Sequence, residues 1–393
     1  ALASDSSTRQ ADYESIVELC TRYGVTSPAP ELNHFQVDLG TFRLKWERRA
    51  ECSSYTFFRQ GEFDDPFAQP VIASVPQDWL ERLPGQVLVA AHVALRPAAA
   101  EASGSEELAR LFEGTALVGS RVGDGVASVR ADFRIHADGF SRFLIDDVSL
   151  TPRQAGRMVQ RLLEIETYLM RALLTLPVAR ATLPVLADAD RQLGDLINEM
   201  TVVTSEDEPA LLDRLTRLAA LVESTISSTL GRICAARSYQ RLVERRLAEL
   251  REVRVEGVQT LHEFVERRLL PAMSTCETVA RLQDSLSERI SRASELLRTR
   301  VDIALQRQNQ SLLSTAARRA KLQLRLQETV EGLSVAAVSY YVVGLIGYAA
   351  KAVKAVGVAV NPEIVTGIAI PIVVIVAALG VRHIRHLVQR AAT

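Results

Sequence analysis

The chain has 393 residues, 24% of them charged and 48% apolar, with 20 Gly, 14 Pro, 4 Cys and a net charge of −1. That composition excludes a disordered, collagen-like or disulfide-stapled protein, and the length suffices for two compact units with sizeable cores. Charge is unevenly spread: residues 1–332 carry 41 Lys/Arg and 46 Asp/Glu, whereas 333–393 carry five basic residues and one acidic residue, and a weakly acidic body is the wrong surface for neutralising nucleic-acid phosphates.

The start, Ala1-Leu2-Ala3-Ser4-Asp5, lacks the basic region and apolar core of a signal peptide. Residues from about 34 to 150 read as mixed strand and helix. Phe42–Trp46 alternates apolar and charged side chains, the period of a strand with one wet face, and Tyr55–Phe58 continues with strand formers. Gln86–Leu95 predicts a buried strand, and Glu106–Phe112 a short helix. Gly123-Asp124-Gly125 predicts a hairpin between Ala116–Val122 and Val126–Ile135, with another strand at Ser141–Ile145.

From Thr151 the period changes to helical. Thr151-Pro152 supplies an N-cap followed by Pro at the first helical position. Ala155–Leu176 then sets Met158, Leu162, Leu163, Ile165, Leu169 and Leu173 on one apolar stripe. A second helix is expected over Pro184–Thr201, and a third from the acidic turn Ser205–Pro209 to about Glu252, with Gly257 and Pro271 as punctuation. Ser274–Val330 contains neither Gly nor Pro and is rich in helix formers, which predicts a rod of about 85 Å with no stop signal before Gly332. Its apolar positions (Leu282, Leu286, Ile290, Leu296, Leu297, Ile303, Leu305) form a narrow stripe that wants neighbours, in its own chain or in copies of itself.

Leu333–Ala350 and Ile364–Val381 are each 18 residues without a charge, about 27 Å as helices, close to the hydrocarbon thickness of a bilayer. They predict a membrane hairpin. Arg318, Arg319, Lys321 and Arg325 before it and Arg382, Arg385 and Arg390 after it outnumber Lys351 and Lys354 in the connection, which places both termini in the cytoplasm. The domain reading is therefore an α/β domain over 1–150, a helical hairpin region over 151–273, a stalk helix over 274–332, a two-span hairpin over 333–381 and a basic tail over 382–393.

Catalytic signatures are sparse. There is no P-loop, GxGxxG after a strand, HExxH or GxSxG, and the expectation is a protein that is not an enzyme, with no catalytic residue and no assigned metal ligand. His136 and Asp138 near a strand end read as a turn at Asp138-Gly139. His383 and His386 read as part of a basic tail, and Glu164 and Glu166, two apart on a helix, point to different faces. Cys20, Cys52, Cys234 and Cys276 have no paired spacing and read as reduced thiols. With no ionisable side chain inside either span, a conducting path needs several copies around an axis. Lining candidates on the first span are Ser334, Tyr341, Gly344 and Tyr348, or the neighbouring strip with Ser339 and Gly347; the competing reading of Ser, Gly and Ala there is helix packing.

Two resemblances stand on these residues. Phe42–Glu47, Tyr55–Arg59, His136–Arg142 and Thr329–Ala336 with Ser339-Tyr340-Tyr341 resemble an uncharacterised bacterial family known only as membrane-anchored proteins with a domain of unknown function. The likeness covers nearly the whole chain and implies no activity. The layout is similar to that of CorA-type magnesium and cobalt channels: an α+β cytoplasmic domain, long helices and a C-terminal two-helix transmembrane hairpin. Pro362-Glu363 in the outer loop and the basic Arg382 and Arg385 after the second span share in it. This resemblance implies a homo-oligomer, a pentamer in that family, in the inner membrane of a bacterium, with the lipid bilayer and its own copies as partners and no nucleic acid. It implies a first span lining a cation path, divalent cations as the ligand class, and a ring of Glu363 at the outer mouth. The channels' Gly-Met-Asn signature is absent; Gly347-Tyr348-Ala349-Ala350 stands in its place. The alternative expectation is a non-conducting membrane-anchored scaffold or regulator.

Overall fold

The computed structural model describes residues 6–49, 51–98, 104–202, 207–355 and 361–391. The chain is α+β with a predominance of long helices, and it divides into two units. One comprises residues 1–203 and 210–295, the other 204–209 and 296–393.

The first unit opens with α1 (Ser6–Arg22), then a three-stranded antiparallel sheet of β1 (His34–Asp38), β2 (Arg43–Arg48) and β3 (Ser53–Phe58). The alternation read in Phe42–Trp46 points Phe42, Leu44 and Trp46 inward, where they meet Ile16 and Leu19 of α1 and Trp79 of the short α2 (Gln77–Glu81). Asp12 of α1 accepts hydrogen bonds from Ser53 Oγ, Trp46 Nε1, Arg48 Nε and Tyr55 Oη, so one buried carboxylate ties α1 to both strands.

A five-stranded sheet follows in the order β4 (Ala91–Pro97), β7 (Ser141–Asp147), β6 (Ala127–Ala131), β5 (Val118–Val122), β8 (Val253–Arg254), with α3 (Ser105–Leu111) between β4 and β5. β4 and β7 are parallel and the other pairs antiparallel. The expected hairpin forms at Gly123-Asp124-Gly125, all three residues at positive φ. The expected strand at Gln86–Leu95 is shorter than its sequence suggested. Pairing with β7 begins at Ala91 opposite Ser141, so 86–90 have no neighbouring strand and Val87 is exposed.

Side chains alternate across this sheet. Phe143 and Ile145 of β7 face a core shared with three helices, while Leu144 between them faces Phe67, Leu111 and Phe112. The three helices are α4 (Pro152–Leu173), α6 (Glu208–Leu250) and α7 (Leu261–Ala355), which contribute Leu162 and Ile165, Val243 and Leu247, and Leu261 and Val265. Thr151 caps α4 with a full capping box through Gln154, as Thr151-Pro152 foretold.

α5 (Thr175–Val202) follows α4 after the single residue Leu174 and begins nine residues before the expected Pro184. Pro177 in its first turn has no N–H to return to the carbonyl four residues back, which accounts for the interruption at Leu174, and Pro184 is accommodated inside the helix. Pro271, read as punctuation, likewise lies inside α7, whose first turns are held by the buried Leu269, Ala272 and Met273. Arg214 of α6 pairs with Glu199 of α5, and Gln283 of α7 donates to Thr229 of α6, so the near half of the rod has neighbours in its own chain and buries Leu286 and Ile290.

In the second unit α7 continues through Gly332 without a break to Ala355, and α8 spans Pro362–Ala391. Almost every side chain from 304 to 334 is exposed. Leu305, Leu312, Leu326 and Leu333 recur on a seven-residue spacing that only Arg319 interrupts, at 53%, 62%, 68% and 72% exposure. That is the spacing of one of the two apolar positions of a coiled-coil seam, and here it is uncovered.

Candidate functional site

Three helical stretches are long and apolar enough to cross a membrane by length and composition: Pro152–Val202, Leu261–Ala352 and Pro362–Val381. The first is not evident in the sequence pattern, and it lies in the folded body with 39% of its apolar window buried. The windows of the other two are 11% and 0% buried, and those two contain the predicted spans.

The two apolar stretches touch. A Cβ built on Gly347 of α7 stands 3.3 Å from Thr366 Oγ1 of α8, and Ser339 and Ala350 on the same strip are buried. Ser339 and Gly347 therefore pack helix on helix, the ordinary use of small residues in an apolar hairpin. Ser334, Tyr341, Gly344 and Tyr348 are all exposed or half-buried at most. At 100° per residue Tyr341 lies about 200° around the helix from Ser339, and Tyr348 the same angle from the half-buried Ile346. A Cβ on Gly344 meets nothing within 4 Å. These four residues thus form one strip facing away from α8, with Ser334 Oγ donating to the carbonyl of Val330 at 2.9 Å. Glu363 is exposed in the first turn of α8, its N–H donating to Asn361 Oδ1. Arg382 and Arg385 continue α8, and their side chains lie outside the described residues.

In the body, the two histidines near the sheet end separate. His136 does not pair with Asp138: its Nε2 lies 2.7 Å from the fully buried Asp132, and its Nδ1 lies 3.3 Å from Glu113, which Arg142 also contacts. Asp138 makes the expected turn with Gly139 at φ 84° and lies 3.3 Å from His92, which stacks on Phe140. Burial lowers the His92 pKa, against the opposing charge of Asp138. Among the described residues no group of three or more His, Cys, Asp or Glu side chains converges as a metal cradle.

Glu164 and Glu166 point to different partners, as their spacing requires. Burial pushes the Glu164 carboxyl up, but hydrogen bonds from Gln160 and Arg246 with the Arg246 and Arg49 charges outweigh it and hold it low. Among the described residues Glu166 accepts only from Ser141 Oγ, at 2.6 Å; its Oε2 is buried without a donor there, and burial raises its pKa to about 7. A carboxyl raised in the fold above its unfolded value of 4.5 costs stability progressively between those two pH values and by a constant amount above them. Glu166→Gln is therefore expected to match the wild-type protein below pH 4.5 and to exceed it by about 3 kcal/mol at pH 8, read as the difference between the two thermal-unfolding profiles in detergent from pH 4 to 8. A pH-independent difference would contradict it.

A polar cluster joins the β2–β3 hairpin to the helices. Arg49 donates to Tyr168 and Glu164 of α4, while Glu51 accepts from Arg171 of α4 and Tyr239 of α6. Arg171 lies over the Tyr239 ring at 4.1 Å. Beside them is a cavity of about 340 Å³ reaching Thr175, Ser227, Ser228 and Arg232. No periodicity in the sequence connects these residues. The cluster's one local signal is Arg171, a charge between Leu169 and Ala172 on the apolar side of α4.

Compared with known proteins, residues 1–388 match the family described as "Protein of unknown function (DUF3422)". The chain belongs to the DUF3422 family. No curated protein and no solved structure matches it. The resemblance to an uncharacterised family is thereby established for this DUF3422 protein along almost its whole length, and the family assigns no chemistry to the His136, Glu166 and Glu51 clusters.

Proposed function

We propose that this DUF3422 protein is a homo-oligomer of CorA-like layout in the bacterial inner membrane, both termini cytoplasmic, which passes cations along an axis lined by its first apolar helix while the folded body senses and gates. The observation that carries the reading is the strip Ser334, Tyr341, Gly344 and Tyr348 on the side of α7 away from α8. Where copies gather around an axis with α8 outside, the face turned away from α8 is the one that meets the axis. The uncovered seven-residue leucine spacing on the same helix gives those copies a means of gathering. Five copies are proposed from the resemblance, with Glu363 as a ring attracting cations, divalent ones included, to the outer mouth.

A second reading, a non-conducting membrane-tethered scaffold or regulator, is favoured by the absence of any ionisable side chain of the acidic or basic kind from 333 to 350 and from 364 to 381. One experiment separates them. Full-length protein reconstituted in liposomes with Mg²⁺-sensitive and K⁺-sensitive dyes is expected to dissipate a cation gradient. If neither ion moves under any gradient, conduction is lost and the tethered scaffold is the better account.

A further inference from the structure

The cavity beside the β2–β3 hairpin brings two guanidiniums, Arg171 and Arg232, to the single carboxylate of Glu51. Arg171 is only 6% exposed, so its charge needs a counter-charge at all times. Glu51 supplies one from the hairpin tip, engaging Nη2, while the Arg171 Nε–H is buried with no acceptor among the described residues. A guanidinium binds an oxyanion best through two parallel N–H groups, and Glu51 takes one of them. A second guanidinium, Arg232, lines the same cavity, close enough for its charge to act on Glu51. Two cations thus face one half-exposed carboxylate.

The α6 face lining the cavity is built for room and hydrogen bonding. Ser228, Gly231, Arg232, Ala235 and Tyr239 fall at helical spacing, and a Cβ on Gly231 meets nothing within 4 Å. At about 340 Å³ the space is at the small end of small-molecule sites, and its lining of hydroxyls and guanidiniums suits a soluble anion rather than an acyl chain.

We propose that this cavity binds a small soluble dianion of the phosphate-monoester class, held by Arg171 and Arg232 with the Ser227 hydroxyl, and that Glu51 is an internal competitor that yields Arg171 when the ligand enters. The site lies wholly within the folded body and is independent of whether the apolar helices conduct. No bond is made or broken; one oxyanion replaces another on Arg171.

Calorimetric titration of the full chain in an uncharged detergent tests it, with glycerol phosphate as the probe and chloride at equal ionic strength as the control. Wild-type protein is expected to bind glycerol phosphate and not chloride. Arg232→Gln, at an exposed helical position, is expected to weaken binding about tenfold or more, and Glu51→Gln to tighten it about tenfold by removing the competitor. Should Glu51→Gln fail to fold without its counter-charge, recovery of a cooperative thermal transition on adding glycerol phosphate is the expected result, and Arg232→Gln still decides the case. Absence of binding to the wild-type protein overturns the proposal. So does unchanged affinity in Arg232→Gln, or binding of a short-chain phosphatidic acid with none of glycerol phosphate.

Discussion

Replacing Tyr341 and Tyr348 together by Ala is expected to speed cation flux through reconstituted liposomes about tenfold or more. Both side chains are exposed, at 71% and 74%, on the face of α7 turned away from α8, so removing them leaves the contact of the two apolar helices through Ser339, Gly347 and Ala350 as it is. Around a shared axis these rings would be the widest side chains on the lining strip, one pair from each copy. An aromatic constriction resists conduction by narrowing the path and excluding water, and truncation to Ala relieves both effects. The matched control is Gly347→Leu. A Cβ there already approaches Thr366 Oγ1 to 3.3 Å, so a larger side chain forces the two helices apart and lowers the yield of folded protein rather than changing flux. Equal flux from the double Ala variant and the wild-type protein, in assemblies of equal size, would show that this strip does not line a path.

Gly344 refines the same expectation. Nothing lies within 4 Å of a Cβ built there, so α8 does not require its smallness. A glycine inside a helix costs about 1 kcal/mol relative to Ala, and no described residue of this chain closes on Gly344 to make use of its small size. In the proposed assembly another copy, or a hydrated path, occupies the space in front of it. Gly344 and Gly347 are three residues apart in one apolar run, and only their surroundings assign them different work.

That contrast marks what the sequence discloses. Local chemistry was legible wherever the cause was local: Gly123-Asp124-Gly125 needs three positive φ angles and makes the turn, Thr151 and Gln154 form the capping box, and the run from Ser274 to Val330 lacks any residue that ends a helix. Where the cause lies far along the chain, the signal fades. α1 has few apolar residues, and what fixes it is Asp12 beneath Trp46, Ser53 and Tyr55 and the burial of Ile16 and Leu19. Pro271 resembles a stop, yet the core around Met273 holds the helix through it. The Glu51–Arg171–Tyr239 cluster joins residues 120 and 188 positions apart, which no periodicity connects. The strip of Ser334, Tyr341, Gly344 and Tyr348 on α7 was within reach of spacing alone, but its separation from the packing strip needed the position of Thr366.

The leucine spacing ahead of the apolar hairpin yields the other large expected effect. In Leu312→Asp/Leu326→Asp the detergent-extracted protein is expected to run at the mass of one protomer, where the wild-type protein is expected to run at the mass of the proposed homo-oligomer, as read by light scattering on a sizing column. Both leucines are exposed in the isolated chain, so its own fold gains nothing from them and far-ultraviolet circular dichroism is expected to stay unchanged. In a coiled-coil seam each would be enclosed by neighbouring copies, and an enclosed carboxylate without a partner costs several kcal/mol at every copy. Repeated around a ring and at two levels of the rod, that cost exceeds what an assembly of exposed helices can bear. Leu324→Asp supplies the control. Leu324 is equally accessible but stands about 200° around the helix from Leu326, outside the seam, and is expected to leave the assembly mass unaltered. Loss of assembly in both variants would implicate net charge rather than a seam, and an unaltered mass in the double variant would place self-association elsewhere and remove the geometric reason for setting Tyr341 and Tyr348 on an axis.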